Sequence, residues 1–293
     1  MFLKNMIVFR LPKGWPVTSE ELAGQLARNA FQACGTSDTV SIGWASPREN
    51  GELVHTVNKQ HLLALKREEK ILPAAVVARF AKERARKIEE EEGRRVGRKE
   101  MRELREAIAV ELLPRAFTLE KQVFVWIDPR GWVVVDTASA SRAEEALELL
   151  RKSVEPLPEI KLVKTVMSPS ACMSQWLASE EAPAGFSLDQ DLELCSAEHA
   201  KVRYVKHTLE GEQIKQHLAE GKTATKLALT WADKISFILT DTLQIKRVVF
   251  LDILKEQSDG QAENEEERFD LDFTLMAGEL SQLLTALVGA LGG

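Results

Sequence analysis

The chain has 293 residues, of which 44% are hydrophobic and 29% charged, and its formal net charge at pH 7 is −6. This composition is typical of a globular protein with sizeable cores and excludes a chain that is disordered throughout. The apolar run at the N-terminus is too short for a signal peptide, and no run predicts a membrane span.

Charge is distributed unevenly along the chain. Residues 59–115 carry 16 Lys and Arg against 11 Asp and Glu, and residues 201–247 carry nine against five. Because the local field governs the binding of polyanions, an acidic protein of this kind can present a basic face. Chance clustering on solvated helices explains the pattern equally well. The odd number of well-separated cysteines, Cys34, Cys172 and Cys195, favours a reduced, cytosolic chain.

The N-terminal third begins with strand patterns and continues with a helical segment. Strands are predicted over 2–11, 40–45, 52–57 and 60–66, and a helix begins at Thr18. Residues 74–113 contain no proline, and 82–106 hold ten basic and eight acidic side chains. Gly93 and Gly97 predict a break, hence a charged, projecting hairpin of two helices. A solvated arm and a basic arm that touches a polyanion both fit this pattern.

Three charge pairs at i, i+4 spacing are expected to stabilise these helices, namely Glu83 with Lys87, Glu90 with Arg94, and Glu91 with Arg95.

The remainder of the sequence mixes strands and helices without regular alternation, which predicts an α+β fold of mixed sheets with packed helices. Strands are expected at 122–127, 132–136, 185–194, 201–206, 223–230, 234–240 and 244–250, and helices at 141–153, 210–220 and 272–291. The Pro- and Ser-rich stretch 155–183 predicts a domain boundary. Residues 256–272 contain eight acids and predict a mobile loop.

Catalytic and metal-binding patterns are weak. Gly221-Lys222-Thr223 lacks the upstream glycine of a phosphate-binding loop and is followed by a strand pattern. The five histidines have no paired ligand spacing, and Cys172 has no nucleophile motif around it. The carboxylates beside strands, Asp128, Asp136, Asp233 and Asp241, fit turns better than a two-metal nuclease site. We therefore expect no catalytic residue, no metal and no cofactor.

No sequence-reading motif for DNA is present either, and no aromatic ladder suited to single strands. The remaining signal is diffuse basic charge, which is suited to phosphate contact rather than base readout.

Three stretches together resemble signature blocks of the RdgC family. They are residues 66–73 (KREEKILP), 112–117 (LLPRAF) and 221–231 (GKTATKLALTW). The resemblance extends over essentially the whole chain. It implies a non-enzymatic homodimer, closed into a ring around double-stranded DNA without sequence preference, in the cytoplasm and associated with the nucleoid. The family limits RecA-driven strand exchange. The resemblance also implies three regions, namely a central region at 1–73 and 114–155, a tip at 74–113 and a base at 156–293.

The resemblance also implies candidate site residues. Arg115 and Phe117 would lie near the tip, where subunits meet or DNA enters, although Phe117 could equally be a core anchor and Arg115 a surface charge. Lys222 and Lys226 would contact DNA, because strand alternation predicts that both lie on one side. A solvated sheet face would give the same pattern.

The resemblance implies that Lys206, which matches a basic position of the family, contacts DNA, and it extends this role to His207, which stands where relatives have a different polar residue. Two other functions remain open. The chain could inhibit RecA through direct protein contact, or it could be a metal-dependent nuclease.

Overall fold

The computed structural model describes residues 2–12, 15–48, 50–209, 211–252 and 264–293. The α+β class is confirmed, with twelve strands and seven α-helices in these residues. The strands are β1 (Met6–Arg10), β2 (Val40–Ala45), β3 (Val54–Val57), β4 (Gln60–Ile71), β5 (Phe117–Ile127), β6 (Trp132–Asp136), β7 (Lys161–Leu162), β8 (Phe186–Cys195), β9 (Lys201–Tyr204), β10 (Thr223–Trp231), β11 (Ile235–Thr240) and β12 (Ile245–Phe250). The helices are α1 (Ser19–Leu26), α2 (Ala74–Glu92), α3 (Arg98–Leu112), α4 (Ala140–Ser153), α5 (Pro169–Ser179), α6 (Glu212–Ala219) and α7 (Glu265–Ala290).

All twelve strands belong to one antiparallel sheet, in which ten strands follow the order β2-β4-β5-β6-β1-β12-β11-β10-β8-β9. Two further strands pair beside this path, β3 with β4 and β7 with β1. The N-terminal and C-terminal halves of the sheet join where Met6 of β1 pairs with Ile245 of β12. The division into central, tip and base regions stays a prediction.

The two faces of the sheet bury separate cores. Met6 and Val8 of β1 face a cluster under α5 and α7, whereas Ile7 and Phe9 face a cluster under α1 and α4. Successive side chains of a strand point to opposite faces, so a strand buried on both faces is apolar at every position. This explains the unbroken apolar run Val133–Val135 in β6.

Residues 74–113 form two helices in contact, with the predicted break between them. Gly93 adopts φ +66°, a left-handed conformation that ends α2. Val77 and Ala81 pack against Ile108 of α3 in a small core of their own. The three predicted charge pairs are absent among the described residues. Residues 93–97 lie outside either helix, so two of those pairs lose their spacing.

The helices carry other charge pairs instead. At i, i+4 spacing these are Arg79 with Glu83, Arg86 with Glu90, Lys99 with Glu103 and Arg102 with Glu106. How far the helical pair projects as a charged arm stays a prediction.

Residues 155–183 contain a packed helix, which the prediction of a simple boundary did not include. The Ser168 hydroxyl caps α5 by accepting a hydrogen bond from the Ala171 N–H. Cys172 and Met173 are buried in the core that α5 shares with β10. Because both are buried, this segment contributes to the larger core, which it shares with the C-terminal half of the sheet.

The prediction of a mobile loop over 256–272 is wrong where the structure describes that segment. α7 begins at Glu265, and Asn264 caps it by accepting a hydrogen bond from the Glu267 N–H. Acidic residues in the first turn interact favourably with the helix dipole, so the acid-rich stretch favours a helix start. Residues 253–263 lie outside the described residues.

α7 is long and apolar enough, by length and composition alone, to cross a membrane, contrary to the sequence prediction. In the structure 44% of its most apolar 18-residue stretch is buried. Its buried residues, among them Phe273, Leu280 and Leu284, belong to the larger core.

Candidate nucleic-acid interface

The outer face of the C-terminal half of the sheet carries a shallow cleft of about 370 Å³. Four cations line it, and we call it the cationic cleft: Arg203 of β9, Lys226 of β10, and Lys246 and Arg247 of β12. The carboxylates Asp191 and Glu193 of β8 also line it, as do Asn5, Leu192, Tyr204, Val205 and Ile238.

A β-bulge gives Lys226 its orientation. Ala224 pairs with Leu194 and Lys226 pairs with Glu193, so Thr225 is an extra residue in β10. Ala224 and Leu227 both lie in the core despite their odd spacing. The extra residue shifts the alternation, and Lys226 therefore faces the outer side of the sheet with Glu193.

Glu193 is the centre of a charged network on this face. Its side chain is only 5% exposed. Its Oε2 accepts hydrogen bonds from Arg203 Nε at 2.5 Å and Lys226 Nζ at 3.1 Å. Its Oε1 accepts from Thr225 Oγ1 at 3.1 Å and Lys201 Nζ at 3.4 Å. A nearly buried carboxylate is thus surrounded by three cations.

This network lowers the pKa of Glu193. Burial alone would raise the pKa, but the hydrogen bonds from Arg203, Lys226 and Thr225 outweigh it and hold the pKa at about 2. The carboxylate is therefore charged at neutral pH. Three cations and one carboxylate leave an excess of positive charge on this part of the sheet.

The other two cations of the cleft, Lys246 and Arg247, are less engaged with carboxylates of the chain. Arg247 is 76% exposed and lies 3.7 Å from Asp191. Lys246 has no ion pair within the described ranges and points to the outer side, opposite the buried Ile245 and Val248.

The structure places Lys206 and His207 beside the cleft. The Lys206 N–H donates to Asp191 Oδ1 at 2.9 Å, and the His207 N–H donates to the Gln190 carbonyl at 3.1 Å. Both side chains are exposed, and the His207 ring lies 5.4 Å from that of Tyr204. The structure therefore brings Lys206, His207 and Lys226 to one region.

Lys222 lies elsewhere, and the prediction that it shares a side with Lys226 is wrong. Its side chain is 16% exposed, and its Nζ donates to Glu220 Oε2 at 2.7 Å. Its Nζ also lies 3.0 Å from His217 Nδ1 of α6. The bulge at Thr225 is the physical reason, because it separates the two lysines onto opposite faces. The strand predicted after Lys222, which argued against a phosphate-binding loop, is confirmed as β10.

Arg115 and Phe117 lie in the other half of the sheet, at the start of β5, with six strands between β5 and β9 in the sheet order. Arg115 is exposed at the end of a short 3₁₀ turn. Phe117 is 85% exposed, so the interpretation of it as a core anchor is wrong. They do not form one site with the cationic cleft within this chain.

Two of the strand-flanking carboxylates, Asp128 and Asp136, have structural partners. Asp128 accepts hydrogen bonds from Gln60 and from the Arg130 N–H. Asp136 accepts from the N–H groups of Lys4 and Asn5. Burial raises the pKa of Asp136. No group of three His, Cys, Asp or Glu side chains that could hold a metal occurs within the described part of the chain.

Four of the cations, Lys201, Arg203, Lys246 and Arg247, and the central carboxylate of Glu193 were not predicted from the sequence. Lys201 and Arg203 alternate along β9, a spacing that puts both on one face and was visible in the sequence. Lys246 and Arg247 are adjacent, and regular alternation would send them to opposite faces. Arg247 adopts φ +51° at an irregularity in the pairing of β11 with β12, so both line the cleft.

Comparisons with known proteins match the whole chain to one family. A family model described as "Putative exonuclease, RdgC" matches residues 1–293. The Recombination-associated protein RdgC of Herminiimonas arsenicoxydans is 52% identical, and that of Janthinobacterium sp. (strain Marseille) is 51% identical. Each alignment covers 100% of this chain and 98% of the relative. That of Cupriavidus necator is 48% identical, over 100% of this chain and 99% of the relative. The chain belongs to the RdgC family of recombination-associated proteins.

Proposed function

We propose that this protein binds double-stranded DNA without reading its sequence, and that it modulates homologous recombination by limiting the access of RecA to DNA. The observation that carries the proposal is the cationic cleft, where Arg203, Lys226, Lys246 and Arg247 share one face of the sheet. The relatives are named recombination-associated proteins, which supports a role in recombination.

The geometry of the cleft favours phosphate contact over base readout. Its cations lie on a sheet face at different strands, and a duplex lying across them presents its phosphates first. Base readout uses an element that enters a groove, commonly a helix or a two-stranded ribbon. Binding of this kind neutralises phosphates and releases counterions, so it weakens steeply as salt increases.

A ring-shaped homodimer gives such weak contacts a long residence time. Two copies double the number of phosphate contacts, and a closed ring leaves DNA only by opening or by sliding off an end. The proposal includes association with the nucleoid in the cytoplasm and competition with RecA for duplex, without enzymatic activity.

An apolar surface at the far ends of β4 and β5 supports self-association. Ile71 pairs directly with Phe117, and Leu119 lies two residues further along β5 on the same face. These three side chains, which we call the ribbon patch, are 45%, 85% and 43% exposed. Exposed apolar side chains that cluster in this way mark interaction surfaces, and we assign the ribbon patch to a second copy of the chain.

The test is the affinity for duplex DNA, measured by fluorescence anisotropy across a salt series with two unrelated sequences. We expect similar affinities for both duplexes, and a slope of log K against log salt of about −0.9 for each phosphate contacted. A strong preference for one sequence, or no binding at low salt, would overturn the proposal. Tight binding to RecA in the absence of DNA would instead favour direct inhibition of RecA.

Nuclease activity is the second candidate, because the family description contains the word exonuclease. Incubation of labelled linear duplex with the protein and magnesium distinguishes the two. Progressive shortening of the DNA that EDTA abolishes would establish a nuclease, and intact DNA under conditions of full binding would support the binding protein.

A further inference from the structure

We propose that Glu193, with the three cations that converge on it, forms a clamp for a single backbone phosphate, and that Glu193 is the residue that positions the clamp. The inference rests on the proposed binding of duplex DNA and goes beyond it by assigning one phosphate contact to a defined cluster. The clamp comprises Glu193, Lys201, Arg203 and Lys226.

The sheet itself creates the convergence. Glu193 of β8 pairs directly with Arg203 of β9 on one side and with Lys226 of β10 on the other. Lys201 lies two residues from Arg203 along β9, on the same face. Neighbouring strands are about 4.8 Å apart, so three long side chains from flanking strands reach one central carboxylate.

Without Glu193 these three positive charges would repel one another and disperse into solvent. With it, Arg203 Nε and Lys226 Nζ share the same oxygen, Oε2, at 2.5 and 3.1 Å. Lys201 Nζ lies 3.4 Å from the other oxygen. Thr225 Oγ1 donates to Oε1 at 3.1 Å and fixes the carboxylate from the bulge. The bulge therefore contributes to the clamp, because it orients both Thr225 and Lys226 towards Glu193.

The exposures of the four side chains suit an external anion. Glu193 is 5% exposed and lies beneath, whereas Lys201, Arg203 and Lys226 are 50%, 63% and 39% exposed. Each cation binds Glu193 on its inner side and keeps an outer side open to solvent. A phosphate that approaches from outside meets cations already held in place, so less side-chain freedom is lost on binding.

The Glu193→Gln substitution tests the clamp because two effects oppose each other. It removes a negative charge from a surface that binds DNA, which on charge alone would tighten binding. The clamp predicts the opposite, since the cations lose their common anchor. We expect the dissociation constant for duplex to rise about threefold to tenfold. We expect this ratio to shrink as salt increases, because a weakened phosphate contact also makes the slope of log K against log salt less steep.

Glu198→Gln is the matched control. Glu198 is exposed in the turn between β8 and β9, and no cation pairs with it among the described residues, so this variant makes the same charge change without touching the clamp. We expect it to bind duplex as tightly as the unmodified protein, or slightly more tightly. Binding by Glu193→Gln that is unchanged or tighter would overturn the clamp while leaving the proposed function intact.

A double-mutant cycle provides the readout that a purely structural role would not give. Lys226→Gln alone should weaken binding to duplex. When Glu193→Gln is added to Lys226→Gln, it should weaken binding much less than it does in the otherwise unmodified protein. Full additivity would contradict the clamp. If Glu193→Gln fails to fold, Thr225→Val can replace it, because it removes one hydrogen bond to the carboxylate without changing the charge. We expect this variant to lose affinity for duplex about twofold. An unchanged affinity would contradict the clamp. If the unmodified protein binds no duplex, the proposed function fails and the clamp fails with it.

Discussion

The buried histidine at the junction of β3 and α7 should make the stability of the protein depend on pH. His55 is 5% exposed and packs against the rings of Phe269 and Phe273 at 5.1 and 5.2 Å. Its Nε2 lies 3.4 Å from Asp270 Oδ1, and its Nδ1 lies 3.3 Å from Arg48. Burial lowers the pKa of His55, an effect that Arg48 reinforces and Asp270 opposes. Burial also lowers the pKa of His61.

A lowered pKa in the folded state means that the unfolded chain takes up protons first as the pH falls. The free energy of unfolding should therefore decrease once the pH drops below about 6.5, by up to about 2 kcal/mol for each buried histidine at pH 5. Urea unfolding at pH 7.5, 6.0 and 5.0 measures the decrease. His55→Gln should reduce it, and the exposed His199→Gln should not. An unaltered decrease in His55→Gln would exclude His55 as its source.

The lysines around β10 indicate how far single residues could be placed from the sequence. Lys226 and Lys206 were identified from the sequence, and the structure brings both to the cleft region. The side on which Lys222 lies was predicted wrongly, because a bulge has no sequence signature as clear as the alternation that it interrupts. The ion pair of Lys222 with Glu220 could not be predicted either, because it depends on the residue at which α6 ends.

Strand β2 depends on one glycine for its close approach to the preceding segment. A Cβ added at Gly43 would lie 2.4 Å from Phe31 Cα and 2.5 Å from Phe31 N. The contact accompanies a backbone hydrogen bond of 2.8 Å from the Phe31 N–H to the Trp44 carbonyl. Both obstructing atoms belong to the backbone, so a side chain at position 43 requires this segment to move away from β2.

Gly43→Ala should therefore lower the free energy of unfolding by about 2–3 kcal/mol. For a chain of 293 residues that corresponds to a fall in Tm of roughly 3–5 °C, measurable by calorimetry. Gly24→Ala in α1 is the control, since nothing lies within 4 Å of the added Cβ and alanine favours the helix. A Tm for Gly43→Ala within a degree of the unmodified protein would contradict the close approach.

At the scale of elements, periodicity placed most helices and strands, but it failed where strands are charged. β4 extends to Ile71 through residues 66–70 (KREEK), and β5 begins at Phe117, although the sequence predicted strands only over 60–66 and 122–127. These extensions pair with each other residue for residue and do not depend on an apolar face. α7 was shortened in the prediction for a similar reason, because its first turns are acidic.

For the whole molecule, ring closure is a topological property and can be tested as one. A closed ring on circular DNA has no end to slide from, whereas a ring on linear DNA has two. We expect the unmodified protein to dissociate much more slowly from circular plasmid than from the same plasmid made linear, once high salt has weakened the phosphate contacts.

The ribbon patch should be the contact that closes the ring, since Phe117 is its most exposed member and a lone aromatic ring at 85% exposure gains most from burial. Phe117→Gln should dissociate from circular and linear plasmid at the same rate, with unchanged secondary structure by circular dichroism. Val166→Gln changes an equally exposed apolar residue outside the patch, and it should keep the difference between the two plasmids. Equal rates for the unmodified protein would exclude a closed ring. A difference that survives in Phe117→Gln would mean that another surface closes it.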